Sequence, residues 1–262
     1  VLLKLQPMRS TGFTIVELVT VMAVLGILSV GTMTFLNNSS NGYAATISRS
    51  QLAADARLTM ARMTSELRRA LPRSVRVAGS CIEFVPTASA SNYVSLPTTT
   101  AAASFDSWPL DPLPVATGLR AAVYPGAGLY QLNNPGSISS TVTLAAPDAN
   151  NRVRVTLSTA HQFTSESPQQ KYFLVSDPVS YCLSSGWLFR YQNYGFSGTQ
   201  PSVATLPSTL PNRSVFAEDV IGSFAVSGAT LARNSEVVLD LTFQRRDEQV
   251  QIAHLVQVRN AP

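Results

Sequence analysis

Residues 13–36 form an apolar run that carries a single charge, Glu17, and this run constrains the chain more than any other stretch. As a helix rising about 1.5 Å per residue it reaches roughly 36 Å, enough to cross a hydrocarbon core of about 30 Å. An ionised carboxylate in such a segment costs about 2.5–3.5 kcal/mol on insertion scales, so its position needs a reason. Two readings stand: an interfacial acid solvated by head groups, or an acid with a partner inside the membrane. A basic leader with Lys4 and Arg9 precedes the run. An ordinary secretory signal would close with a small-x-small cleavage site after its apolar core. Here no such site closes the run cleanly, which passes without a turn into a polar helical pattern. If anything is removed, the natural cut lies between Gly12 and Phe13, and the apolar segment stays on the mature protein.

The helical pattern continues beyond the run. Residues 37–42 are polar and weakly helical, and read as a bend or a locally melted turn. Over residues 44–71, Ile47, Leu52, Leu58, Met63, Leu67 and Leu71 recur every four to six positions among alanines, while Arg49, Asp55, Arg57, Arg62, Glu66, Arg68 and Arg69 mostly take the other side. That is an amphipathic helix with one face on a globular head. Pro72 ends it, because proline removes a donor and turns its predecessor away from helix. Met60 and Met63 read as core packing. Arg68, Arg69, Arg73 and Arg76 read as a solvated helix end that complements the dipole, with anionic lipid or a neighbouring subunit as the other use.

From residue 73 onward the chain reads as β-rich. Residues 75–85 offer a strand containing Cys81, and residues 88–114, rich in Ser, Thr, Ala and Pro, read as an irregular excursion. Residues 153–157 and 172–175 alternate as strands do. Residues 181–191 hold Cys182, Trp187, Phe189 and Tyr191 as a strand pair turning at Ser184-Ser185-Gly186, and residues 196–212 read as a second loop. Val237, Leu239, Leu241 and Phe243, then Val250, Ile252, Val256 and Val258, alternate on either side of a charged turn at residues 245–248. This is an antiparallel hairpin with one buried face. The expected fold class is therefore α+β, a long N-terminal helix packed on an antiparallel sheet head in one domain.

Charged residues are only 13% of the chain and its net charge is +4, with no basic stripe of interleaved aromatics, which argues against nucleic acid as a partner. No hydrolase elbow, zinc-protease helix or phosphate loop is present, so the chain reads as a non-enzyme without cofactor. His161 sits beside a loop with no evident nucleophile, and His254 is expected as a hydrogen-bonded core histidine. Asp106 with Asp111, and Asp148 near Asn150 and Asn151, are spaced too loosely for a convincing calcium loop, and no metal site is expected.

The string Gly12-Phe13-Thr14-Ile15-Val16-Glu17, with its basic leader, spanning tail and amphipathic continuation, resembles the class III signal of type IV prepilins and type II secretion pseudopilins. In motif the resemblance covers residues 9–73, and beyond that it rests on architecture. It implies a prepilin leader at residues 1–12, a membrane-spanning assembly half of the helix at 13–36, an amphipathic half at 37–72 and a pilin head at 73–262. It also implies that prepilin peptidase cuts after Gly12 and methylates the new amine of Phe13. Glu17 would pair with the Phe13 amine of a neighbouring subunit and set the stagger in assembly. The implied partners are prepilin peptidase, other minor and major pilins, the inner-membrane assembly platform and the inner membrane itself. The implied place is the bacterial inner membrane, crossed once, with the C-terminal head in the periplasm or at a pilus tip.

The large head suits a low-copy minor subunit. Residues 67–76 are similar to the helix end of J-type minor pseudopilins, whereas residues 178–183, 190–191 and 256–262 are more similar to a minor pilin of MSHA-type pilus biogenesis. The expected role is assembly or initiation of a type IV pilus, with a type II secretion pseudopilin or a tip adhesin using Trp108, Tyr124, Tyr130 and Tyr194 as alternatives. Gly26 and Gly31 stand where many pilins kink this helix with proline. The anchor points the head out of the cytoplasm, where Cys81 and Cys182 are expected to form a disulfide, two free buried thiols being the other reading.

Overall fold

The computed structural model describes residues 12, 14–110, 117–126, 128–227, 234–245 and 248–258. They belong to two compact units, one ending at Ser50 and the other beginning at Gln51. A helix of 54 residues, α1 (Ile15–Arg68), runs through both.

In the first unit α1 begins at a side-chain cap. The Thr14 hydroxyl accepts the Glu17 backbone N–H at 3.3 Å, and the Thr14 carbonyl accepts that of Leu18 at 3.1 Å. Thr14 and Glu17 thus hold the first and last positions of a T-x-x-E capping sequence. Ser29, Thr32 and Thr34 return their hydroxyls to the carbonyls of Leu25, Leu28 and Val30, at 2.7, 2.6 and 2.9 Å. Each polar side chain is thereby satisfied within the helix, as an apolar solvent requires. α1 is long and apolar enough to cross a membrane, and none of its most apolar window is buried. Residues 37–42, expected to bend or melt, are helical throughout. Once a helix is nucleated on both sides, each further residue gains a hydrogen bond for one pair of dihedrals, and weak formers are carried along.

In the second unit α1 buries Leu52, Ala56, Thr59, Met60, Met63, Thr64 and Leu67. Leu58, expected on this face, is 52% exposed, because it stands six residues from Leu52 and a helix turns about 100° per residue. Ile47 is also exposed. The helix stops at Arg68, short of the proline. Ala70 already bridges Pro86, and the Leu71 N–H donates to the Val85 carbonyl at 2.7 Å, the extended state that a residue before proline prefers.

The strands follow as β1 (Arg76–Ala78), β2 (Cys81–Phe84), β3 (Thr87–Asn92), β4 (Ala102–Ser107), β5 (Arg120–Val123), β6 (Ile138–Leu144) and β7 (Val153–His161). They continue as β8 (Lys171–Val175), β9 (Val179–Ser184), β10 (Trp187–Tyr191), β11 (Arg213–Glu218), β12 (Val220–Ser227), β13 (Ser235–Arg245) and β14 (Glu248–Val258). The single strand expected over residues 75–85 is a hairpin, β1 to β2. The supposed irregular excursion contains β3 and β4 and buries Tyr93, Phe105 and Leu110; its small residues fill strand positions that need no bulk.

Among the described residues they form three antiparallel sheets: β1-β2-β9-β10-β11, β12-β13-β14 and β3-β8-β5-β6-β7-β4. The first two share one core with the buried stripe of α1, through Ile82, Phe84, Tyr181, Leu188, Leu239, Leu241 and Phe243. The six-stranded sheet has a core of its own, including Tyr93, Phe105, Val155, Phe163, Tyr172 and Leu174. All six of its strands lie between β2 and β9, which are themselves neighbours. Its ladder closes at one corner, where Tyr93 bridges Ser107 and the Val94 and Trp108 amides donate to Asp106 and Asn92 at 2.8 and 2.9 Å. The six-stranded sheet is thus an insertion into the sheet that packs on the helix.

Candidate functional site

Two regions hold the residues singled out in the sequence. The first is the start of α1. Gly12 is exposed, Phe13 lies outside the described residues, and Glu17 stands exposed in the first helical turn. A carboxylate there is favoured by the unpaired amides and the positive end of the helix dipole. Glu17 is therefore held at the end of the apolar run by the same turn that Thr14 caps.

The second region is the sheet around the cysteines. Cys81 and Cys182 face each other in the β2–β9 register and are joined as a disulfide, with 4.1 Å between their Cα atoms. Two residue pairs further along this register, Glu83 is fully buried. It accepts from the Arg76 Nε and, at 2.9 Å, from the Tyr194 hydroxyl. Burial holds the Glu83 carboxyl above the usual carboxylate range, although Arg76 and Tyr194 both pull it down. Arg76 also donates to the carbonyls of Gly198 and Ser197 at 2.8 and 2.7 Å, and its guanidinium lies 3.6 Å from the centre of the Tyr130 ring. Burial pushes the Tyr130 and Tyr194 hydroxyls up, and the Glu83 charge adds to both. This cluster pins the segment around Ser197 to the sheet.

Several expectations change here. Arg76 is an internal anchor rather than part of a solvated helix end. Of the four aromatics considered for adhesion, Tyr130 is buried and Tyr194 turns inward to Glu83, while Trp108 is exposed. His254 is exposed rather than a core residue, because β14 is an edge strand and α1 leaves that part of its inner face uncovered. His161 is buried, with Nε2 at 3.1 Å from the Gly136 carbonyl and its ring edge-on to Phe163. Burial lowers its pKa below 6.5, the Gly136 contact opposing this. Asp106 is taken by Arg154 at 2.7 Å, and Asp148 accepts the Asn150 and Arg152 amides at 2.8 Å each. Asp111 lies outside the described residues, among which no cluster of His, Cys, Asp and Glu could hold a metal ion.

The Glu83–Arg76 pair and the Glu66–Arg190 pair, 3.1 Å apart, were missed in the sequence. The first had a signal: a turn at Gly79-Ser80 would have set Arg76 opposite Glu83. The second joins residues 124 positions apart and had none.

The class these features define is an α+β protein whose first element is a membrane-length helix. Residues 7–33 match the prokaryotic N-terminal methylation motif. The motif supports a type IV pilin-like or pseudopilin subunit, a structural component rather than an enzyme. It implies processing by prepilin peptidase and pilins as partners, and fits membrane anchoring through the N-terminal helix. No curated protein and no solved structure matches the chain.

Proposed function

We propose that this chain is a minor pilin-like subunit that helps to initiate or assemble a type IV pilus of the MSHA type. The observation that carries the reading is the methylation motif at residues 7–33 leading into a 54-residue helix. In this reading prepilin peptidase cuts between Gly12 and Phe13 and methylates the Phe13 amine. Glu17, held in the first turn by the Thr14 cap, receives the amine of a neighbouring subunit. Residues 1–12 are the leader, 13–36 cross the inner membrane, 37–72 continue the helix and 73–262 form a head in the periplasm or at a pilus tip. The Cys81–Cys182 bridge supports an oxidising compartment for that head. A head enlarged by a six-stranded insertion suits a subunit present in few copies. Residues 178–183, 190–191 and 256–262 are similar to MshO, a minor pilin-like protein of mannose-sensitive haemagglutinin pilus biogenesis.

Residues 67–76, similar to J-type pseudopilins, favour a second reading, a minor pseudopilin of type II secretion. A clean gene deletion scored in parallel for surface pili and for secreted enzymes separates the two. Loss of pili with normal secretion is expected. Lost secretion with pili intact would move the chain to the secretion system, and loss of attachment alone would make it a tip adhesin. The mature N-terminus tests the class itself: mass spectrometry should find methylated Phe13, and an N-terminus beyond the apolar run would overturn the reading.

A further inference from the structure

Beside the buried stripe of α1 lies a mostly apolar groove of about 540 Å³, floored by Met60, Thr64 and Ile252. Arg57, Arg68, Arg69 and His254 border it, and no acid does. None of the three arginines makes an ion pair among the described residues. Thr64 is 8% exposed, and its buried hydroxyl oxygen has no hydrogen-bond partner there. The other wall is β14, which has β13 on one side and, among the described residues, no strand on the other.

Edge strands are normally blunted by charge, proline, a bulge or a cover, because their free amides and carbonyls invite pairing. β14 pairs with β13 without a break over eleven residues. Between Gln249 and Val258 it carries no Lys, Arg, Asp, Glu or Pro. Its outer face also exposes Leu255, which is opposite the exposed Val238. An edge of this kind next to an apolar groove has the form of an unfilled strand position.

We infer that this groove is a docking site for an extended, acidic segment of another protein, which adds to β14 as a fourth strand. Its inward side chains would enter the groove against Met60 and Ile252, and its carboxylates would meet Arg57, Arg68 and Arg69. Main-chain pairing supplies the affinity of such additions, and the alternate side chains supply the choice of partner. The charge decides the occupant. A second copy of this edge would set the same arginines against one another, and a basic segment would meet no counter-charge. The inference concerns the head alone and stands whether the chain serves a pilus or a secretion system.

The test uses the full chain in a non-ionic detergent with two fluorescent synthetic peptides, one alternating valine with glutamate and one alternating valine with lysine. The glutamate peptide should bind and slow exchange of alternate amides over Gln249–Val258, while the lysine peptide should not. Arg57→Glu with Arg69→Glu, both exposed, the first on α1 and the second in the turn that follows it, should weaken the glutamate peptide about tenfold or more without loss of helix signal. Ile252→Glu should weaken it too, by placing a like charge in the groove. Equal binding of both peptides, binding without protection of β14, or an affinity unmoved by the arginine reversals would overturn the inference. Binding to anionic vesicles with none to either peptide would overturn it as well, and assign the groove to lipid. So would dimers that form through β14 despite the arginines.

Discussion

At the scale of single residues, the head is organised by polar groups that its interior has to satisfy. Arg76 makes three different kinds of contact with one planar group: an ion pair to Glu83, two carbonyl hydrogen bonds and a stack on Tyr130. Lysine keeps the charge but has neither the fork nor the plane. Arg76→Lys is therefore expected to cost about 2–3 kcal/mol in denaturant unfolding and to speed amide exchange around Ser197. Unchanged exchange there would show that the loop is held by other means. His161 makes a pH prediction. Its folded pKa lies below the ordinary 6.5 because burial penalises the cation. As pH falls through 6.5, the unfolded chain takes up a proton that the folded ring refuses, so stability is lost from that point down to the folded value. Above 6.5 the contribution is fully present. His161→Phe removes this slope and leaves the Gly136 carbonyl with the Thr164 amide at 3.3 Å. The melting temperature of the variant should drop less than that of the parent between about pH 7 and pH 5; parallel curves would remove His161 as the cause.

At the scale of elements, what the sequence shows and hides follows from where the determining contact lies. The last hairpin was legible because its alternation is local: Val237, Leu239, Leu241 and Phe243 are all buried as the pattern requires. The β9–β10 turn was legible for the same reason, since Ser185 and Gly186, at φ 52° and 81°, form the two-residue loop that twisted strands prefer. The helix face was half legible. Leu58 and Met63 look equivalent in the sequence, and only the position of the sheet decides between them. Met63→Ala should cost about 2–5 kcal/mol and Leu58→Ala no more than about 0.5; similar losses at both would mean that the stripe is misplaced. β3 and β4 were not legible because their small side chains gain stability from long-range pairing rather than from bulk. The β12–β13 pair contains a further constraint that no pattern reveals. Gly222 lies opposite Leu241, and a Cβ there would come 2.0 Å from the Asp240 carbonyl oxygen. Gly222→Ala must push the two strands apart, and a loss of about 2 kcal/mol or more is expected in thermal or denaturant unfolding.

At the scale of the whole head, one covalent bond sits where the chain leaves one sheet and returns to it. Everything between β2 and β9 builds the six-stranded sheet, and Cys81 and Cys182 join the two strands that flank this insertion, 101 residues apart. The insertion has its own core and nearly closes on itself, so in the unfolded chain it is a long loop whose ends would otherwise wander apart. A crosslink over a loop of about 100 residues removes entropy worth about 4–5 kcal/mol in the chain-entropy model. β2 and β9 also pair directly from Cys81↔Cys182 to Phe84↔Val179, so the folded register does not need the bond to exist. The bond therefore acts mainly on the unfolded state: it keeps neighbours near each other while a distant sheet assembles between them. The double variant Cys81→Ser, Cys182→Ser should reach the same β-sheet signal by circular dichroism yet unfold at lower denaturant, with a loss of about 2–5 kcal/mol. The parent in strong reductant should move toward the same midpoint. If the reduced parent and the double variant both unfold where the oxidised parent does, the insertion closes by its own packing and the disulfide has no share in it. If the variant instead loses its sheet signal at once, the bond sets the register as well as limiting the unfolded chain.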